Sequence, residues 1–99
     1  MLNITKEQKE DVLQVVLEGR LDTTTAPELE KTLKESLDGV KELVLDFEDL
    51  EYISSAGLRV LLSAQKIMNK QGSMTITNVS PEIMEIFDVT GFCDILTIK

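Results

Sequence analysis

The chain has 99 residues, of which 42 % are apolar and 28 % charged; that is enough for one hydrophobic core and too apolar for a disordered segment. Ten basic residues stand against eighteen acidic ones, a net charge of −8, and the acids run through the whole chain. Repulsion therefore disfavours direct binding to nucleic acid or to an anionic membrane, while a basic protein surface is attracted. The absence of histidine removes the commonest general base near neutral pH, and the single Cys93 excludes an internal disulfide and a zinc ligand set. No apolar run exceeds three residues, so neither a signal peptide nor a membrane span is expected, and a cytoplasmic location is.

No repeat, low-complexity stretch or linker interrupts the chain, and residues 1–99 read as one domain. Val12 to Leu17 form a β-branched strand ending at Gly19, and Leu2 to Thr5 pair beside it through a polar Glu7–Glu10 turn. Thr25, three residues before Glu28 and with Pro27 in the first turn, opens a helix carrying Leu29, Leu33 and Leu37 as far as Gly39. The run Leu43-Val44-Leu45 predicts a central parallel strand covered on both faces. From Leu58 to Lys70 a second helix places Val60, Leu61, Ala64, Ile67 and Met68 on one face, with Leu58 and Leu62 at its edge, and ends at Gly72. Met74, Ile76 and Val79 continue as a strand, Ser80-Pro81 caps a third helix up to Gly91, and Ile95, Leu96 and Ile98 make a last short strand. An opening hairpin followed by strand–helix repeats implies an α/β fold, a mixed sheet of four to five strands with helices packed on it.

Few residues are equipped for catalysis. Cys93, between Phe92 and Asp94, lacks an activating partner and reads as a core or near-core thiol whose pKa an adjacent anion would raise. Asp46, Glu48, Asp49 and Glu51 form the densest acidic stretch, placed just past the central strand where open α/β sheets often bind ligands; solvated strand-end carboxylates that cap loops are the favoured account of it. No Gly-rich phosphate loop occurs. The segment Tyr52-Ile53-Ser54-Ser55-Ala56-Gly57-Leu58 at the start of the second helix is more informative. Either serine can cap free backbone N–H groups there, and a hydroxyl at such a loop tip is also reachable by a kinase. Gly57 leaves room for a backbone or a partner to approach.

This segment resembles the signature of STAS domains, the fold of bacterial anti-sigma-factor antagonists. Two further places are similar to the family: Gly19-Arg20-Leu21-Asp22 with the Thr23–Ala26 stretch, and Phe87 to Gly91 before the last strand. Leu45-Asp46-Phe47 through Leu58 matches its central strand, loop and Asp-Ser-Ser/Thr-Gly-Leu phosphorylation motif. Ser54 stands where phosphorylated members usually carry Asp, and Ala56 where Ser or Thr is frequent. The resemblance implies that Ser55 is the phosphorylated serine, that Asp22 lies near it at the partner interface, and that Gly57 and Leu58 begin the recognition helix, with Ser54 beside them. It also implies the partners: an anti-sigma factor with serine kinase activity, which binds the unphosphorylated chain and carries its own ATP, and a phosphatase that reverses the modification. No cofactor of the chain itself is expected.

Three expectations follow. The first is a non-enzymatic, phosphorylation-switched antagonist. The second is a STAS scaffold without a switch, or a cytoplasmic subunit of a membrane transport complex. The third is a small carboxylate enzyme centred on Asp46 to Glu51.

Overall fold

A computed structural model describes residues 2–99. Two strands open the chain, β1 (Leu2–Lys9) and β2 (Val12–Leu21), paired antiparallel from Leu2↔Gly19 to Lys9↔Val12. The hairpin is longer than its apolar residues indicate. The turn is Glu10-Asp11 rather than Glu7–Glu10, with Glu10 at φ 58°, a left-handed conformation at the tight reversal between strands. There follow α1 (Ala26–Ser36), β3 (Glu42–Ile53), α2 (Ser55–Gln71), β4 (Ser73–Thr77), α3 (Pro81–Thr90) and a short 3-10 turn over Phe92–Asp94. The sheet order is β1-β2-β3-β4, with β2, β3 and β4 mutually parallel. This is the mixed α/β sheet expected, with four strands.

The last expected strand is not formed as one. Ile98 makes a single parallel bridge to Ile76, in which Ile76 N–H donates to the Thr97 carbonyl (2.9 Å) and Lys99 N–H to the Ile76 carbonyl (2.9 Å). Ile95 and Leu96 instead donate their N–H groups to the Phe92 carbonyl (3.0 and 2.8 Å), which closes the turn over Phe92–Asp94. Val79 also falls outside β4, which stops at Thr77 before Asn78 at φ 57°.

Helices cover one face of the sheet, not two. Leu13, Val15 and Leu17 of β2 and Leu43, Leu45 and Phe47 of β3 share one buried cluster with Leu29 and Leu33 of α1, Leu61 and Met68 of α2, and Ile83 and Phe87 of α3. On the opposite face Gln14 and Glu18 are exposed and Val16, Val44 and Thr75 only half-buried. Both crossovers step the same way along the sheet, and right-handed connections then put α1 and α2 on the same side. The Phe47 and Phe87 rings meet at 6.3 Å between centroids, tilted by 42°, within the range of favourable aromatic pairs.

β3 has twelve residues and its neighbour β2 ten. The difference is taken up at two irregularities, where Val16/Glu18 face Asp46/Asp49 and Gly19/Arg20 face Leu50/Tyr52. Each bulge inserts one extra residue on β3 and shifts the phase of its pleat. The buried positions therefore run Leu43, Leu45, Phe47 and then Leu50 and Ile53, with Glu48, Asp49, Glu51 and Tyr52 left exposed. Gly19, at φ 106°, lies inside β2 at the second bulge instead of ending the strand.

At the far end of the sheet, Gln71 ties α1 to α2. Its amide donates to the carbonyls of Leu37 (2.6 Å) and Val40 (2.6 Å). Replacing Gln71 with alanine leaves the amide's work on both carbonyls undone and is expected to cost about 1–3 kcal/mol. Urea unfolding measures the loss, and a midpoint equal to the parent's would contradict this role.

Candidate functional site

The residues singled out in the sequence gather where β2 and β3 end and α1 and α2 begin. The Ser54 N–H donates to the Leu21 carbonyl (2.8 Å), fastening the end of β3 to the end of β2. Ser54 is extended (φ −97°, ψ 174°), and its hydroxyl accepts from the Gly57 N–H at 3.4 Å. Ser54 is thus the N-cap of α2, which starts three residues earlier than the apolar stripe from Leu58 indicates. Ser55 is the first helical residue, exposed and without a capping duty. No acidic residue lies in the first turn of α2.

Gly57 faces inward. A Cβ built there would meet Leu21 Cγ at 2.7 Å and Ile53 Cγ1 at 2.9 Å, so the missing side chain lets α2 settle on the chain's own strand ends. Leu58 is 6 % exposed and belongs to the core. Of the matched positions, Ser55 is therefore the one that is exposed; Asp22 and Ser54 are half-buried, and Gly57 and Leu58 are buried beneath them.

Asp22 organises the turn into α1. Its Oδ1 accepts from the Thr24 N–H (3.0 Å), the Thr24 hydroxyl (2.7 Å) and the Thr25 N–H (3.1 Å). The Thr25 hydroxyl accepts from the Asp22 N–H (2.8 Å) and donates to the Arg20 carbonyl (2.9 Å). Thr25 occupies the N-cap position but makes no side-chain cap, so the Thr25–Glu28 capping box is absent; its hydroxyl is already committed to the strand end. The other carboxylate oxygen, Oδ2, lies 4.0 Å from Arg20 Nε.

The Thr24 hydroxyl, aided by the backbone N–H groups of Thr25 and Thr24 and opposed by partial desolvation, holds the Asp22 carboxyl below its ordinary value of 3.8. A carboxyl with a depressed folded-state pKa contributes stability above its unfolded pKa and loses it as pH falls through the lower folded value. In a carboxyl-carbon NMR titration Asp22 is accordingly expected to titrate below 3.8, and Thr24→Val to move its midpoint upward. An unchanged midpoint in that variant would contradict the assignment.

Two features were not legible in the sequence. Arg20 stacks over the Tyr52 ring at 4.5 Å, a pairing that exists because the second bulge sets these two residues opposite one another. A shallow open groove also runs between the first turns of α1 and α2, lined among others by Thr23, Pro27, Glu30, Ala56, Arg59 and Ser63. Ala56, next in the chain to Ser55, lines it while Ser55 does not, and it offers a surface rather than an enclosed pocket.

The acidic stretch is not a loop beyond the central strand. Asp46, Glu48, Asp49 and Glu51 all lie within β3, and the bulges spread them along it. Asp46 Oδ1 accepts from the Glu48 N–H (3.0 Å) and the Asn78 side-chain amide (3.1 Å), a brace between β3 and the end of β4. Among the described residues no three His, Cys, Asp or Glu side chains form a metal-holding group. Cys93 is half-buried against the core; burial pushes its thiol pKa up, and the carboxylates of Asp94 and Asp88 add to the effect. Among the described residues no helix is long and apolar enough to cross a membrane.

The family model for the STAS domain matches residues 3–99. The anti-sigma-B factor antagonist of Bacillus subtilis is 33 % identical over 99 % of this chain and 91 % of its own length. Among solved structures, an anti-sigma factor antagonist from Mycobacterium paratuberculosis superposes with a TM-score of 0.89 at 23 % identity, covering 99 % of this chain and 85 % of that one. SpoIIAA, an anti-sigma factor antagonist and Bacillus cell fate determinant, superposes in its unphosphorylated form (TM-score 0.78, 17 % identity, 98 % of this chain and 87 % of that one) and in its phosphorylated form (0.77, 18 %, 98 % and 91 %). Motif, topology and relatives agree: the chain belongs to the STAS domain family and is of the anti-sigma-factor antagonist type.

Proposed function

We propose that the chain is a partner-switching regulator that binds an anti-sigma factor when Ser55 is free and is released when Ser55 is phosphorylated. The exposed Ser55 hydroxyl at the start of α2 carries this reading, because Ser54 already performs the capping that would otherwise account for a serine there. The partner is an anti-sigma factor with serine kinase activity. The γ-phosphoryl of its ATP passes to Ser55 Oγ, forming the new O–P bond and releasing ADP and the hydroxyl proton; a phosphatase hydrolyses the ester to restore binding. The chain is substrate and ligand in this cycle, not the enzyme.

The contact surface comprises the first turn of α2, the groove beside it and the Asp22 turn. Phosphate adds about −1.5 to −2 charges at neutral pH. It does so at a helix N-terminus, which tolerates negative charge, so the domain stays folded while its docking surface changes sign locally. SpoIIAA keeps nearly the same similarity to this chain in its phosphorylated and unphosphorylated forms, which supports a switch by charge rather than by refolding. Titrating the chain with and without phosphoserine installed at position 55 against the anti-sigma factor of its own organism tests the proposal. A loss of at least ~100-fold in affinity is expected, because a contact made with a neutral hydroxyl leaves the added charges desolvated and unpaired. Equal affinity would leave a constitutive STAS scaffold instead.

A further inference from the structure

Given the Ser55 switch proposed above, we infer that Arg59 is the internal counter-ion of the phosphorylated serine, a positioning residue that holds the phosphate against α2. Ser55 and Arg59 are four apart on one helix and both exposed, which makes them surface neighbours about 5–6 Å apart at Cβ. The anion lies N-terminal to the cation, the orientation that stabilises a helix pair at this spacing. Arg59 is also uncommitted: among the described residues no carboxylate lies within 4.0 Å of it, the ion pairs being Arg20–Asp22 and Lys34–Glu30. Glu30, the acid lining the same groove, is engaged by Lys34 at 2.9 Å. Asp22 is occupied by Thr24, Thr25 and Arg20. With no acid in the first turn of α2, a dianion on Ser55 meets Arg59 without a competitor on its own helix.

Phosphorylation in this arrangement does two things at once. It adds negative charge at the start of α2 and withdraws a free guanidinium from the groove between α1 and α2, where the unmodified chain presents it for contact. A planar guanidinium suits a phosphate because it binds two oxygens together.

The test needs neither kinase nor partner. The chain is made with phosphoserine encoded at position 55, and the second pKa of the phosphate, near 6 when unpaired, is read by phosphorus NMR. Arg59→Gln is expected to raise that pKa by roughly 0.3–0.5, the equivalent of one exposed helix pair acting on a dianion. Arg59→Lys should retain most of the effect, and about 1 M salt should abolish it. Lys66→Gln, on the same face but roughly 16 Å further along the axis, should leave the pKa unchanged. If Arg59→Gln and Lys66→Gln give the same value as the parent, the inference is wrong. Failure of the switch itself shows differently, as an unmodified Ser55 in cells or an unchanged partner affinity, and would leave this titration intact.

Discussion

Gly72→Ala is expected to be among the most damaging single substitutions in the domain, although Gly72 is exposed. Its backbone is extended, at φ 176°, so conformational freedom is not the reason for glycine. The reason is contact: a Cβ there would lie 1.8 Å from the Lys41 carbonyl oxygen and 2.6 Å from its carbon. Those atoms are main chain and cannot rotate away. The same carbonyl accepts from the Ser73 N–H at 2.9 Å, the bond that starts β4 beside β3, while the Lys41 N–H donates to the Asp11 carbonyl at 2.7 Å. Making room for one methyl group thus means separating α2 and β4 from the start of β3. We expect a cost of about 3 kcal/mol or more and a melting temperature lower by roughly 12–25 °C. Thermal unfolding followed by circular dichroism measures it. A drop under roughly 4 °C would contradict the close approach of these two backbones.

Ser55→Asp is expected to separate binding from stability. At the first position of α2 an added carboxylate interacts favourably with the helix N-terminus, by about 0.3–1 kcal/mol, so the variant should be as stable as the parent or slightly more so. Toward the anti-sigma factor it should bind at least ~10-fold more weakly, because one negative charge now faces a surface evolved for a neutral hydroxyl; a single carboxylate carries less charge than phosphate and should fall short of its effect. Ser55→Ala should bind within about threefold of the parent, since the hydroxyl makes no capping bond whose loss would disturb α2. Calorimetric titration and thermal melts of the same preparations read both quantities. Tight binding by Ser55→Asp, or a destabilised Ser55→Ala, would each contradict the placement of Ser55.

Helix positions were readable because their punctuation is chemical. Pro27, Pro81 with Ser80, Gly91 and Gly72 mark ends that the structure keeps, with Ser80 capping Ile83 and Gly91 closing α3 at φ 80°. The apolar alternation that marks β3 fails after Phe47, so the second half of the strand carries no period-two signal. Two bulges restore the buried phase at Leu50 and Ile53, and a bulge is a property of two paired strands that neither sequence segment carries alone. The same limit hid the Arg20–Tyr52 stack. Leu43-Val44-Leu45 suggested cover on both faces, yet Val44 is half-buried on the open side, since a lone valine on a solvated sheet face costs little.

Within the site, the motif around Ser55 was legible as a resemblance and as a helix start. Which serine caps was not, because Ser54 and Ser55 are chemically equivalent until the backbone sets Ser54 in the extended region. Gly57 was legible as a place of close approach but not what approaches: the side chains of Leu21 and Ile53 fill the space. Asp22 was legible as a turn residue, and the structure gives its carboxylate three donors, the Thr24 N–H, the Thr24 hydroxyl and the Thr25 N–H.

The measurement that tests the account most directly is site-mapped mass spectrometry of the chain isolated from its own cells with phosphatases inhibited. A phosphate is expected on the exposed Ser55 and none on Ser54, whose hydroxyl caps α2. Ser55 unmodified across growth and stress conditions, or phosphate found on Ser54 in its place, would contradict it.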